Sequence, residues 1–181
     1  MEDEQVKRRL AAVLAADVVG YSRLMAKDEF GALAALKRLR EYTIDPTDSR
    51  FGGRIVKLMG DGTLVEFASV VDAVKCAVAI QQATASLKDS EIVVRIGINL
   101  GDVIIDGDDI YGDGVNIAAR LEPLARAGGL CISSIVKESI GERTNAQFKD
   151  GGEVPVKNIE RPLKTWQWHP ADHDQAFDSS T

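Results

Sequence analysis

Arg54-Ile55-Val56-Lys57-Leu58-Met59-Gly60-Asp61-Gly62-Thr63-Leu64-Val65-Glu66-Phe67 reads as two short strands joined at Gly60-Asp61-Gly62. Gly and Asp suit the backbone of a tight turn, so the run predicts a β-hairpin, Arg54 to Met59 against Thr63 to Phe67. Asp61 at its tip has two readings, ordinary turn chemistry or a carboxylate offered to a ligand. Period-two alternation places Lys57 on the face of Ile55 and opposite Val56 and Leu58. A lysine there either guards an edge strand against aggregation or touches a ligand.

Upstream, Phe51-Gly52-Gly53 is a turn. Phe30 to Tyr42 reads as a helix with Leu33, Leu36 and Leu39 on one side, running on towards Ile44, where Pro46 discourages further helix. Leu10 to Val19 is a continuous apolar run, the pattern of a strand buried on both faces. Asp17 lies inside it, and a buried carboxylate needs compensation: an Arg, a helix N-terminus or a metal ion. A helix begins near Ser22, and its first N–H groups suit a phosphate.

Downstream, Val70 to Leu87 is amphipathic, and Ile92 to Ile105 is a long strand. Asp106-Gly107-Asp108-Asp109 turns into Asp109-Ile110-Tyr111-Gly112-Asp113-Gly114-Val115-Asn116-Ile117-Ala118-Ala119-Arg120-Leu121. This is a tight loop becoming a helix with Asp113 as its N-cap. Ile117, Leu121 and Leu124 form its apolar stripe, and Gly128-Gly129 ends it. Asn116 and Arg120, spaced i, i+4, share a different face, where an amide beside a guanidinium suits an anionic ligand. Taken alone, the pair also fits a solvated polar face. Leu130 to Ser133, Phe148 to Lys157 and Leu163 to Trp168 are further strands, with a short helix from Ser134 to Ile140; Trp166 and Trp168 share one face. The order βαββαβ with additions predicts an α+β, ferredoxin-like fold: a mainly antiparallel sheet with helices packed on it.

The chain of 181 residues is 45% hydrophobic, enough for one domain with its own core. The division expected is an arm over residues 1–9, a domain over 10–169 and a polar tail over 170–181. His169 and His173 read as incidental to that tail, not as a zinc site. The net charge of −6 argues against binding a nucleic acid backbone, while an anionic substrate remains possible if metal ions mask the charge. Cys76 and Cys131 lie in apolar runs and read as small buried hydrophobes in a reducing compartment. The acidic start Met-Glu-Asp-Glu is no signal peptide, and the longest apolar run is too short to span a bilayer, so the expected location is cytoplasmic, with no membrane segment.

Asp17 at a strand end and Asp61 at a hairpin tip stand out as carboxylates that adjacent strand ends could bring together. Mg²⁺ is typically held by one or two carboxylates plus substrate phosphates. Two Asp without a His or Cys cluster therefore suit Mg²⁺ or Mn²⁺ with a nucleoside triphosphate and argue against zinc.

Three motifs then resemble the class III nucleotidyl cyclase catalytic domain over about residues 10–168. They are Ala16-Asp17-Val18-Val19-Gly20-Tyr21-Ser22, Lys57-Leu58-Met59-Gly60-Asp61-Gly62, and Asp109-Ile110-Tyr111-Gly112 continuing as Val115-Asn116-Ile117-Ala118-Ala119-Arg120. Each is weak alone; in this order and spacing they are strong. The N-terminal arm also looks like bacterial members in which the domain is one module of a larger protein. The resemblance implies an adenylate cyclase: the ribose 3′-hydroxyl of ATP attacks the α-phosphorus, expels pyrophosphate and closes a 3′,5′-cyclic diester. Asp17, Asp61 and the carbonyl of Val18 would hold two divalent cations, Mg²⁺ or Mn²⁺. Val18, Val19, Gly20, Tyr21 and Ser22 would line the triphosphate, Asn116 would position the ribose, and Arg120 would neutralise the α-phosphoryl oxygens. No protein general base is obvious.

Lys57 and Asp109 would read the base. Adenine accepts at N1 and donates from its amino group, which matches a Lys donor and an Asp acceptor; guanine reverses both and leaves polar groups mispaired. The family's division of residues between subunits implies a head-to-tail homodimer with two equivalent sites. A late Val-Lys-Gly-Lys-Gly-like segment is reduced to Val156-Lys157-Asn158-Ile159-Glu160, so only Lys157 keeps a basic position there. The alternatives are a guanylate cyclase and a catalytically silent, dimerising or nucleotide-binding module. A polymerase-like or diguanylate cyclase identity is compatible at the level of fold, but the chain carries no Gly-Gly-Asp/Glu-Glu-Phe signature.

Overall fold

The computed structural model describes residues 7–59, 62–87, 92–157 and 159–172. One sheet carries every strand among the described residues. Its order is β2 (Arg54–Met59), β3 (Gly62–Phe67), β1 (Lys7–Val18), β4 (Val94–Asp106), β6 (Leu130–Ser133), β8 (Leu163–Trp168) and β7 (Lys149–Val154); β5 (Asp109–Tyr111) hangs on β4. All neighbours are antiparallel except β4 and β6. The first four strands of this order are the ferredoxin-like core that the sequence predicts.

Helices α1 (Tyr21–Lys27), α2 (Glu29–Leu39), α3 (Asp45–Arg50), α4 (Val70–Ala85), α5 (Asp113–Leu121) and α6 (Ser134–Ile140) lie between the strands. Alternation along β1 divides the sheet. Ala12, Leu14, Ala16 and Val18 join the main core with Leu36, Leu39, Val74, Ile80, Val136 and Ile140. Ala11, Val13 and Ala15 join a second core with Leu64, Val103, Ile110 and Ala118 of α5. No helix among the described residues is long and apolar enough to cross a membrane.

The structure departs from the sequence reading at several points. β1 starts at Lys7, not Leu10, because Lys7, Arg8 and Arg9 pair with Ile105, Ile104 and Val103 at the far end of β4. Leu10 is 65% exposed, and two-sided burial begins only at Ala11. Pro46 does not stop the helix: a π-turn (Arg40–Ile44) widens the ladder, and Pro46 falls in the first turn of α3, where a missing N–H costs little. Asp113 is not the N-cap of α5; Gly112 takes that place at φ 110, and Asp113 is the first helical residue. Helix α5 ends at Leu121 in a 3₁₀ turn (Glu122–Leu124) containing Pro123, so Leu124 leaves the apolar stripe and is 39% exposed. Asp109 to Tyr111 is a strand of the two-residue hairpin turning at Gly107-Asp108, not open loop.

Helix α5 rests on the backbone of β4. A Cβ on Gly97 would collide with the backbone N of Glu122 and lie 2.7 Å from the carbonyl oxygen of Ala118; one on Gly114 would lie 2.7 Å from that of Asp102. Asn99 pins the contact, donating to Gly114 O at 3.2 Å while its own oxygen accepts from Ser133 Oγ at 2.8 Å.

Both cysteines are buried and free, as expected of small hydrophobes. Burial pushes Cys131 up to about 11. Cys76 is held protonated by burial and by Asp48, to whose Oδ1 its thiol donates at 3.2 Å. Asp48 is 1% exposed, and no donor among the described residues reaches its Oδ2. Burial raises its carboxyl to about 6.

Two predictions follow from this packing. The folded chain keeps the Asp48 proton up to about pH 6, whereas the unfolded chain releases it near the ordinary 3.8. Stability therefore falls as pH rises through that window and is constant above it, the whole penalty being about 3 kcal/mol. Asp48→Asn, which can still accept from Cys76, is expected to raise stability at pH 8 by about 1–3 kcal/mol and to give no gain at pH 4, read by urea unfolding at both pH values. Gly97→Ala has an ordinary φ, so its cost is steric: a loss of about 1–3 kcal/mol by the same measurement.

Candidate active site

Of the residues singled out in the sequence, Asp17 and Lys57 stand on the sheet face that α5 covers, and Asp109 meets Lys57 there. Asp17 is the odd-numbered partner of Ala11, Val13 and Ala15 on that face, half-buried one residue from the end of β1 and opposite Arg95 of β4. Its Oδ1 accepts from Val18 N at 2.9 Å. Arg95 Nε donates to Ala125 O at 2.9 Å. The last β1–β3 pair is Ala16 with Thr63, next to Gly62, which pairs with Met59 at the end of β2. Asp61, between Met59 and Gly62 in sequence, lies outside the described residues.

After β1 the chain turns at Gly20, whose φ of 61 is in the left-handed region that favours glycine. The carbonyl of Gly20 accepts from Arg23 N and Leu24 N, starting α1 at Tyr21. Ser22 is exposed; Tyr21 packs against the main core, and its buried hydroxyl finds no hydrogen-bond partner among the described residues. Val18 is buried, and Val19 N donates to Val93 O at 2.8 Å.

Lys57 is not on the face that strict alternation gives it. The β2–β3 register shifts between Ile55, opposite Val65, and Lys57, opposite Leu64. Val56 is the extra residue of a β-bulge, and both it and Lys57 face the second core, away from Ile55. The bulge thus aims Lys57 at β5. Its Nζ lies 2.9 Å from Asp109 Oδ2 and 4.8 Å from the centre of the Tyr111 ring. Asp109 Oδ1 accepts from Ile110 N at 2.8 Å.

These contacts polarise the cluster. The hydrogen bond from Lys57, then that from the Tyr111 hydroxyl, holds the Asp109 carboxyl below its usual range. Asp109 in turn raises Lys57 and Tyr111. At neutral pH the pair is an ammonium beside a carboxylate, a donor next to an acceptor on a partly exposed edge.

Asn116 and Arg120 share the exposed side of α5, while Ala118 and Leu121 are fully buried beneath. Lys157 is exposed in a turn after β7, at the sheet edge opposite β2, and is not brought to the other residues within this chain. His169 uses both ring nitrogens structurally, Nε2 with Ala127 O at 2.9 Å and Nδ1 accepting from Ala171 N at 3.0 Å; His173 lies outside the described residues.

The sequence reading passed over Tyr111, Asn99 and an ion cluster of Arg9, Glu66 and Arg54. Glu66 gave a usable signal, a charge within the apolar run of β3. No cluster of three or more His, Cys, Asp or Glu is found among the described residues. One carboxylate at the end of β1, beside a turn that carries another in sequence, fits a cation whose remaining ligands come from substrate phosphates and water.

The model of the adenylate and guanylate cyclase catalytic domain matches residues 5–170. A Rhizobium meliloti (strain 1021) protein named "Putative adenylate cyclase 3" is 48% identical over 177 residues, covering 95% of this chain and 30% of the relative. The crystal structure of an adenylate/guanylate cyclase/hydrolase from Silicibacter pomeroyi superposes with a TM-score of 0.85 at 44% identity, covering 92% of this chain and 99% of that one. The adenylyl cyclase CyaB from P. aeruginosa gives 0.77 at 25% identity, over 91% and 95% of the two chains. The chain spans about a third of the length of the curated relatives it matches. Motif, topology and similarity converge, and the chain belongs to the class III adenylate and guanylate cyclase catalytic domain family.

Proposed function

We propose that this domain is an adenylate cyclase, converting ATP to 3′,5′-cyclic AMP and pyrophosphate. The observation that carries the choice of base is the Lys57–Asp109 pair, 2.9 Å apart and already charged in opposite senses. Lys57 donates to adenine N1, and Asp109 accepts from the 6-amino group. Their mutual contact holds the donor beside the acceptor before the base arrives, which lowers the ordering cost of binding. Guanine would set N1–H against the ammonium and O6 against the carboxylate.

The residues around the phosphates act by position and charge. Asn116 orients the ribose so that its 3′-hydroxyl lies in line with the α-phosphorus. Arg120, one turn further along α5, neutralises charge building on the α-phosphoryl oxygens. Val18, Val19, Gly20, Tyr21 and Ser22 would line the triphosphate, with donors coming from the turn after Val19 and from the Ser22 hydroxyl, since Val18 N and Val19 N already donate to Asp17 Oδ1 and Val93 O, and Lys157 would be a further basic contact. Asp17, Asp61 and the Val18 carbonyl would hold two divalent cations, Mg²⁺ or Mn²⁺, which supply charge neutralisation on the triphosphate and acidify the ribose hydroxyl.

Asn116 and Arg120 stand on the solvent side of α5, whereas Asp17 sits at the end of β1. A second copy in head-to-tail arrangement brings one set onto the other and makes two equivalent sites.

Cyclic AMP formation with Mn²⁺ is expected to rise faster than linearly with protein concentration. Asp17→Ala should abolish it, and Arg120→Ala should lower kcat on the order of 10²–10³-fold. Mixed in equal amounts, these two dead variants should recover about a quarter of wild-type activity, since half the dimers are mixed and each of those holds one intact site. No recovery, with dimers shown by sedimentation, would overturn the shared site. Exchanging the base readers in Lys57→Glu/Asp109→Asn should move the ATP-to-GTP ratio of kcat/KM towards GTP on the order of 10²-fold. An unmoved ratio would remove both residues from base recognition.

A further inference from the structure

Glu66 is a carboxylate one residue from the end of β3, with a side chain only 7% exposed. Two arginines clamp it, one from each neighbouring strand. On one side Arg9 of β1 donates from Nε to Oε2 at 3.0 Å and also from Nη2. On the other side Arg54 of β2 donates from Nε and Nη2 to Oε1, at 3.2 and 2.9 Å. Burial alone pushes the Glu66 carboxyl up, but the two guanidinium groups together bring it below the usual range, so it stays charged.

The third face of the Arg54 fork leaves the sheet. Its Nη1 donates at 3.0 Å to the carbonyl of Asp108, in the β4–β5 turn and one residue before Asp109. β5 pairs with β4 and not with β2. Contact from β2 to this hairpin therefore comes through side chains: Arg54 at the turn and Lys57 at Asp109 and Tyr111. The two halves of the base-reading pair stand on different elements, and their separation depends on what ties those elements together. A planar guanidinium can hold Glu66 with one edge and Asp108 with the other; a lysine ammonium cannot span both with fixed geometry.

We propose that Glu66 and Arg54 are positioning residues that latch the β4–β5 turn to β2, and that this latch sets the register of Lys57 against Asp109 and hence the preference for adenine over guanine. The inference rests on the reading of Lys57 and Asp109 as base readers, and it adds residues that touch neither the base nor the phosphates. A reader shifted out of register leaves its hydrogen bond to the matched base unmade, which weakens binding of adenine more than of guanine. Arg9 holds the far side of Glu66, so loss of Arg54 alone leaves the carboxylate paired and the strand intact.

The test uses the whole chain as Glu66→Gln and as Arg54→Lys. The second changes a side chain 44% exposed and keeps its charge, so it secures a folded variant. Two readouts are taken. Hydrogen exchange over Asp108 to Tyr111 is expected to speed at least about tenfold in both variants, with Ala12 to Leu14 of β1 unchanged. The ATP-to-GTP ratio of kcat/KM is expected to fall about tenfold through a higher KM for ATP, with kcat little altered. Wild-type exchange over Asp108 to Tyr111 in both variants would overturn the latch. Faster exchange with an unchanged nucleotide ratio would overturn its role in selectivity. Acceleration everywhere, β1 included, would reduce Glu66 and Arg54 to general stabilisers and also overturn it. If the wild-type domain shows no preference for ATP, the base-reader assignment fails and selectivity by the latch fails with it, while exchange still decides whether Glu66 and Arg54 hold the turn.

Discussion

The seating of α5 directly on the backbone of β4 is the constraint from which the site follows. Gly97 and Gly114 remove side chains at both ends of the contact, and Asn99 closes it with a buried hydrogen bond to Gly114 O. Packing without intervening side chains leaves no soft layer to absorb a shift, because protein interiors are close-packed and transmit strain. Asn116 and Arg120 therefore inherit the rigidity of the central strand, although both are exposed. The same strand continues into the turn that presents Asp109, so one element carries both groups of residues.

The two faces of the sheet divide labour. The face under α2, α4 and α6 holds the larger core, including Phe67, Ile80, Ile96 and Ile98. The opposite face has a thinner core of mostly Ala and Val, and its rim is where Asp17, Lys57 and Asp109 stand. Small residues there let α5 approach closely and leave the strand ends clear for polar groups. Stability is supplied on one side, and charge is displayed on the other.

Much of this was legible in the sequence, and the limits were physical. The hairpin strands, the long β4 and the ferredoxin-like order were readable because alternation and turn residues are local signals, whereas the contact between Lys57 and Asp109 joins two elements that no local pattern links. The facing of Lys57 was not, since a bulge at Val56 breaks the period on which alternation depends. Pro46 was misread because a π-turn upstream changes which N–H groups the helix needs. Gly112 replaced Asp113 as the cap of α5, a choice made by a φ of 110, in the region that favours glycine. The β4–β6 pairing, the only parallel one in the sheet as described, depends on a connection through α5 that no local pattern announces.

Three acidic residues show why a charge within an apolar context is an incomplete signal. Asp17 and Glu66 stand in apolar strand runs with similar patterns, and Asp48 is buried in a short polar helix that gives no warning. Glu66 is balanced by two guanidinium groups and remains ionised. Asp48 meets a thiol and keeps its proton to about pH 6. Asp17 lies at a strand end, where its carboxylate accepts from the next residue's N–H and the chain turns away through a left-handed glycine. Each solution suits a different task. A doubly clamped carboxylate fixes strands and the turn beyond them. A neutral buried acid fills space and makes stability depend on pH. A half-buried carboxylate at a strand end is held by the backbone of the residue that follows it. The sequence shows that a charge needs compensation; only the partners around it decide what form that compensation takes.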